Sequence, residues 1–187
     1  MIFWPEAKLK KKGLQIFVGT IDGVDFKTRE KSNDEFSVDK KTFTYKHHHG
    51  GVKYELVVDA FESKIISING PFKGGVDDRA MYEDKVKDLV PDGKLLIADR
   101  GYGRSDEKNF PGWNKKFALP NLSDSKWLAN FKSRARSRHE VVNGLLVDYA
   151  VLHKEFTHPH DKHVIAFEAI CVLVQYKMDY GHPTWDA

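Results

Sequence analysis

One cysteine, Cys171, occurs in 187 residues, so no disulfide can form within the chain. Its setting, Ala169-Ile170-Cys171-Val172-Leu173-Val174, reads as a small buried hydrophobe in a reducing compartment. Long apolar runs are lacking too: none approaches the roughly 20 residues that cross a bilayer. The opening Met1-Ile2-Phe3-Trp4-Pro5-Glu6 has no basic region, long apolar core or small-residue cleavage site, so it is no signal peptide. A soluble intracellular chain with no membrane partner is expected. Charge of one sign is scarce as well. Lys plus Arg is 30 and Asp plus Glu is 27, and a net +3 is too mild to announce a nucleic-acid binder. Internal repeats, low-complexity tracts and Pro/Gly/Ser linkers are absent, which argues for one domain. With 41% hydrophobic residues the chain can bury a core, which excludes a disordered tail.

What is present reads first as strands. A basic N-terminal segment, 1–13, contains Lys-Leu-Lys-Lys-Lys at 8–12 and precedes a folded domain at 14–183 and a tail at 184–187. Leu14 to Ile21 is rich in Ile, Phe and Val and is expected to end as a strand at Asp22-Gly23. Residues 31–40 are polar and read as a loop. Phe43 to His47, Val52 to Ala60 and Lys64 to Asn69 continue as strands with short connections, an antiparallel meander.

The pattern then changes. Asp77 to Leu89 is helical in character, with carboxylates at its start, and Pro91-Asp92-Gly93 ends it. Lys94-Leu95-Leu96-Ile97-Ala98 is a short apolar run, as in a strand buried on both faces, and Lys116 to Leu119 is a further strand. Ser123-Asp124-Ser125 caps a long helical region toward Phe156, and its stripe Val142, Leu145, Leu146, Tyr149, Leu152 and Phe156 has helical spacing. A last helix spans about Asp161 to Tyr180, ended by Gly181 and Pro183. Strands, then alternating strand and helix, then helices: the class is α/β, a mixed sheet covered by helices.

Two acids follow apolar runs, in Gly19-Thr20-Ile21-Asp22-Gly23 and Ala98-Asp99-Arg100-Gly101-Tyr102. A carboxylate at a strand end is held rigidly and faces the crevice where open α/β sheets bind ligands. Two of them on neighbouring strands can share a divalent cation; each alone reads as a turn. A third acid, Glu140, follows Lys132-Ser133-Arg134-Ala135-Arg136-Ser137-Arg138-His139, the most basic stretch of the chain. It can close a metal site while Lys132, Arg134, Arg136 and Arg138 hold phosphates, or simply pair with Arg136 at i,i+4. Hard oxygen donors without a cysteine set favour Mg²⁺ or Mn²⁺ over zinc.

The blocks Val18-Gly19-Thr20-Ile21-Asp22-Gly23, Ile68-Asn69-Gly70-Pro71-Phe72 with Asp78, Ala98-Asp99-Arg100-Gly101-Tyr102 and Arg138-His139-Glu140-Val141-Val142-Asn143 stand in a telling order. With Phe156-Thr157-His158, Lys162-His163 and Phe167-Glu168-Ala169, the chain resembles the catalytic domain of PIF/Harbinger-type DDE transposases from about residue 14 to 183. The resemblance implies an RNase H-like fold, a mixed five-stranded sheet flanked by helices. It implies that Asp22, Asp99 and Glu140 hold two Mg²⁺ or Mn²⁺ ions for phosphodiester hydrolysis and DNA strand transfer, with Asp78, Tyr102 and His139 as supporting positions. DNA is then the substrate and the nucleus the compartment. A separate DNA-binding module or partner protein would read sequence, and a homo-oligomer is compatible. Leu145 and Val147 stand where the family commonly has basic residues. They keep open a domesticated, catalytically inactive DNA- or protein-binding module, and an RNase H-like nuclease for another nucleic acid is a further rival.

The remaining polar and aromatic residues are read as structural. His47-His48-His49 alternate faces on a strand and do not converge on one ion, and His158, His160 and His163 are better explained by capping and packing than by zinc. Tyr102 is expected as a wall of the crevice, and Trp113, Trp127 and Trp185 have no spacing that carries chemistry.

Overall fold

The computed structural model describes residues 16–29, 43–44, 48–106 and 108–181. The basic stretch at 8–12, the loop at 31–40, His47, Pro183 and Trp185 lie outside the described residues. Strand β1 (Phe17–Lys27) is buried continuously from Phe17 to Ile21. It does not stop at Asp22-Gly23 as expected. Val24 and Phe26 are buried side chains, and pairing with β3 continues through Asp22↔Leu56, Val24↔Tyr54 and Phe26↔Val52. The apolar alternation after Gly23 outweighs the turn signal of Asp-Gly.

Strands β3 (His49–Asp59) and β4 (Ile65–Lys73) complete the antiparallel meander, and a two-residue strand, β2 (Phe43–Thr44), pairs with the start of β3. The β3–β4 turn is organised by Asp59, whose carboxylate accepts from the backbone N–H groups of Phe61 at 2.6 Å and Glu62 at 2.7 Å. On the other side of β1 lie the parallel strands β5 (Leu95–Ile97) and β6 (Phe117–Ala118). The main path is therefore β4-β3-β1-β5-β6, with β2 sharing the outer edge of β3. Five strands match the expectation, and β2 is added to them.

One face of the sheet is covered by α3 (Lys126–Val147), α4 (Ala150–His153) and α5 (His160–Tyr180). Phe26, Tyr54, Leu56 and Val58 meet Val142, Leu146, Leu152, Phe167, Ile170 and Val174 there. Leu145 and Val147 pack against the same cluster, which gives their apolar character a structural reason. On the other face lie α1 (Asp78–Met81), a π-helical turn at Tyr82–Val86 and α2 (Lys87–Leu89), with Val18, Ile21, Val57, Leu96 and Phe117 beneath them. This mixed sheet between helical layers is consistent with an RNase H-like fold. Ser125 caps α3 by accepting from Leu128 N–H, and Asp77 caps α1 by accepting from Arg79 N–H. The long helix expected toward Phe156 breaks after Val147 and resumes as α4.

Candidate nucleic-acid cleavage site

Strand β5 is short, and its last pairing with β1 is Thr20↔Ile97. Asp22, midway along β1, and Asp99, just past the end of β5, each stand two residues beyond that pair, so both lie beside the point where the parallel pairing ends. Glu140 arrives from α3. The three carboxylates line one pocket of about 200 Å³ together with Thr20, Ile21, Arg136 and His139.

Each acid is held differently. Asp99 begins the 3₁₀ turn Arg100–Tyr102, and its Oδ1 accepts from Gly101 N–H at 2.7 Å. A Cβ on Gly101 would come within 2.9 Å of that same oxygen, so a larger residue there would push the Asp99 carboxylate aside. Asp22 Oδ1 accepts from Gly23 N–H at 2.9 Å, and its Oδ2 accepts from Asn143 Nδ2 at 3.3 Å. Glu140 is exposed, and its neighbour His139 is buried with Nδ1 2.8 Å from Thr20 Oγ1. Because the Thr20 hydroxyl donates to Val58 C=O at 3.3 Å, His139 Nδ1–H is the donor to Thr20. Burial pushes His139 down to about 3, against a hydrogen bond with the Thr20 backbone, so the imidazole is neutral at pH 7. Its Nε2 is then a buried lone pair with no hydrogen-bond partner among the described residues.

The three acids offer carboxylate oxygens, which fit a hard cation such as Mg²⁺ or Mn²⁺. The three acids share the pocket without closing around a point. Among the described residues, no group of three or more His, Cys, Asp or Glu side chains is drawn together closely enough to hold an ion.

Beneath the pocket lies a second layer of polar groups that includes Tyr102 and Asp78, expected as supporting positions, and Glu55, which the sequence reading missed. Tyr102 is not a wall of the crevice: it is fully buried, and its hydroxyl donates to Glu55 Oε1 at 3.2 Å. Trp113 donates to Tyr102 C=O at 2.7 Å and closes the layer. Glu55 is itself fully buried, and burial pushes it up to about 8, against hydrogen bonds from Tyr102 and Asn69. Asp78 accepts from Lys53 Nζ at 3.1 Å, and a Cβ on Gly23 would meet its Oδ1 at 3.1 Å. Asp78 thus sits beside the backbone that follows Asp22. An acid in an alternating strand, as in Tyr54-Glu55-Leu56, was the only available signal for Glu55.

The basic stretch of α3 does not form one surface. Arg136 lines the pocket. Lys132 is buried, donating to Leu119 C=O at 2.9 Å and to both oxygens of Asp124 at 2.9–3.0 Å. Its expected phosphate contact gives way to fastening the loop before α3. Arg134 and Arg138 line a separate groove with Trp127 and Phe131. The other histidines are structural in setting: His163 is buried with Nδ1 2.9 Å from Tyr54 Oη, and His158 meets the Phe156 ring edge-on.

The family model described as DDE superfamily endonuclease matches residues 21–175, which include all three pocket acids. No curated protein and no solved structure matches the chain. Among the described residues, no helix is long and apolar enough to cross a membrane.

Proposed function

The chain belongs to the DDE superfamily endonuclease family, and on that premise we propose that it is the DNA-cleaving and strand-transfer domain of a transposase or transposase-derived protein of the PIF/Harbinger type. The observation that carries this reading is the meeting of Asp22, Asp99 and Glu140 in one pocket where the parallel pairing of β1 and β5 ends. These three residues would hold Mg²⁺ or Mn²⁺. When bound, such ions supply Lewis-acid stabilisation of the attacking and leaving oxygens in an in-line displacement at phosphorus.

The chain's own residues supply position and charge. Arg136 presents a guanidinium to the phosphate that enters the pocket. Gly101 N–H fixes the Asp99 carboxylate, and Asn143 orients that of Asp22. Neutral His139 ties α3 to β1 through Thr20, so Glu140 approaches from a helix whose register is held. No side-chain nucleophile is needed, because water or a DNA 3′-hydroxyl attacks. A nuclear setting and a homo-oligomer fit this reading.

The test is cleavage of labelled duplex and single-stranded DNA with Mg²⁺ or Mn²⁺. We expect cleavage by the native chain and loss of at least a hundredfold with Asp99→Asn, on the order of removing a transition-state contact. Equal activity in the two proteins would overturn the assignment. One observation favours the domesticated binding module instead: Leu145 and Val147 are spent on packing rather than on phosphates. Metal-independent DNA binding without any cleavage is the outcome that would select it.

A further inference from the structure

On the flank of α3 away from the pocket, Trp127, Phe131, Arg134 and Arg138 recur at helical spacing as one stripe. They line a groove of about 410 Å³ together with Asn130 and Ser133. Arg138 and Glu140 are two residues apart, about 200° around the helix, so groove and pocket lie on different flanks. The lining has two guanidiniums and no acid. Trp127 is 53% exposed, although it stacks on Phe131 at 9° between ring planes with centroids 6.0 Å apart. An exposed large aromatic on a rigid helix, paired with a second ring, is a platform that water covers poorly. Arg138 is anchored by donating to Ala60 C=O at 3.2 Å in the β3–β4 turn. Two like charges line one groove, so an anion between the guanidiniums of Arg134 and Arg138 would relieve repulsion.

We propose that this groove binds single-stranded DNA, with an unpaired base stacked on Trp127 and the adjoining phosphates held by Arg134 and Arg138. The chemistry of the lining argues for this occupant. Guanidiniums alone would accept any phosphate backbone, but an exposed indole ring has a stacking partner only where a base has left the duplex. The volume lies within the range of pockets that hold a nucleotide-sized group. The assignment of DNA over another single strand rests on the function proposed above.

The test measures fluorescence anisotropy of a labelled DNA strand of about 12 nucleotides, long enough for one aromatic groove, against the matching duplex, an abasic strand and the same sequence in RNA. The full chain is used in EDTA, so cleavage plays no part. Trp127→Ala removes an exposed ring and should leave the thermal melt unchanged. We expect it to weaken single-strand binding by about five- to a hundredfold, to leave duplex and abasic-strand binding within about twofold, and to be largely rescued by Trp127→Phe. Arg134→Gln should weaken all the DNA ligands and lower the salt slope by about one. Unchanged single-strand affinity in Trp127→Ala would overturn the proposal, and so would an equal loss on the duplex. Tighter binding of the RNA strand overturns the choice of DNA. A Trp127→Ala protein that changes oligomeric state in sedimentation while keeping its DNA affinity assigns the groove to a second copy instead. Failure of cleavage with Trp127-dependent binding intact would remove the catalytic reading alone.

Discussion

Among the described residues Glu55 has no cationic partner to compensate its burial, so the neutral form is favoured and its folded value rises from 4.5 to about 8. The folded chain therefore binds a proton that the unfolded chain has released between those values. Stability from this group is complete below the unfolded value, falls as pH rises through the window, and levels off above about 8. We expect Glu55→Gln, which keeps an acceptor for Tyr102, to abolish that part of the pH dependence. Urea unfolding of both proteins from pH 5 to 9 checks it, and the difference should reach a few kcal/mol on the alkaline side. Parallel curves would mean that Glu55 titrates normally in the folded chain. The buried histidines run the other way: burial pushes His139 down to about 3 and His163 to about 4, so their contribution is lost as pH falls below 6.5. Comparing the variant with its parent isolates Glu55 from them.

Helix α3 does three things in three directions. Ala135, His139, Val142 and Leu146 face the sheet, Arg136 and Glu140 face the pocket, and Trp127, Arg134 and Arg138 face the groove. The basic run at 132–138 was legible as a run, but one helical turn per 3.6 residues divides it among these directions. The Thr20–His139 bond joins this helix to β1 one residue before Glu140 and two before Asp22. Thr20→Val keeps the shape and leaves His139 Nδ1–H buried without an acceptor, a loss of about 1–3 kcal/mol. We expect a melting temperature several degrees lower and reduced cleavage, with Thr20→Ser close to native in both. An unchanged melt in Thr20→Val would show that the bond contributes nothing to holding α3.

At the scale of the molecule, net charge +3 and a pocket lined by three acids and one arginine offer little means of distinguishing base sequences. Discrimination needs an element that enters a groove and reaches base edges, and the long helices α3 and α5 are both packed on the sheet. We expect weak, salt-dependent binding to duplex DNA, with a transposon terminal repeat and its scrambled form bound nearly alike. Competition at matched salt measures this. A preference of a thousandfold or more, on the order of site-specific binders, would show that this domain reads sequence itself and needs no separate module.

The amino-acid sequence by itself determined the order of elements and the three acids. Apolar periodicity is local, and Asp22, Asp99 and Glu140 each sit in a short block that could be singled out by its resemblance to a family pattern. Only the tertiary structure decided what lies next to what. It carried β1 past Asp22 because pairing with β3 buries Val24 and Phe26. It sank Tyr102 beneath the pocket against Glu55, and engaged Lys132 with Asp124 instead of leaving it in solvent. It also turned Trp127, which has no meaningful spacing to the other tryptophans, into one wall of a groove with two arginines. The physical reason is common to all of these. Period and propensity act along the chain, whereas burial and hydrogen-bond partnership depend on segments far apart in sequence, which meet only when the sheet closes against its helices.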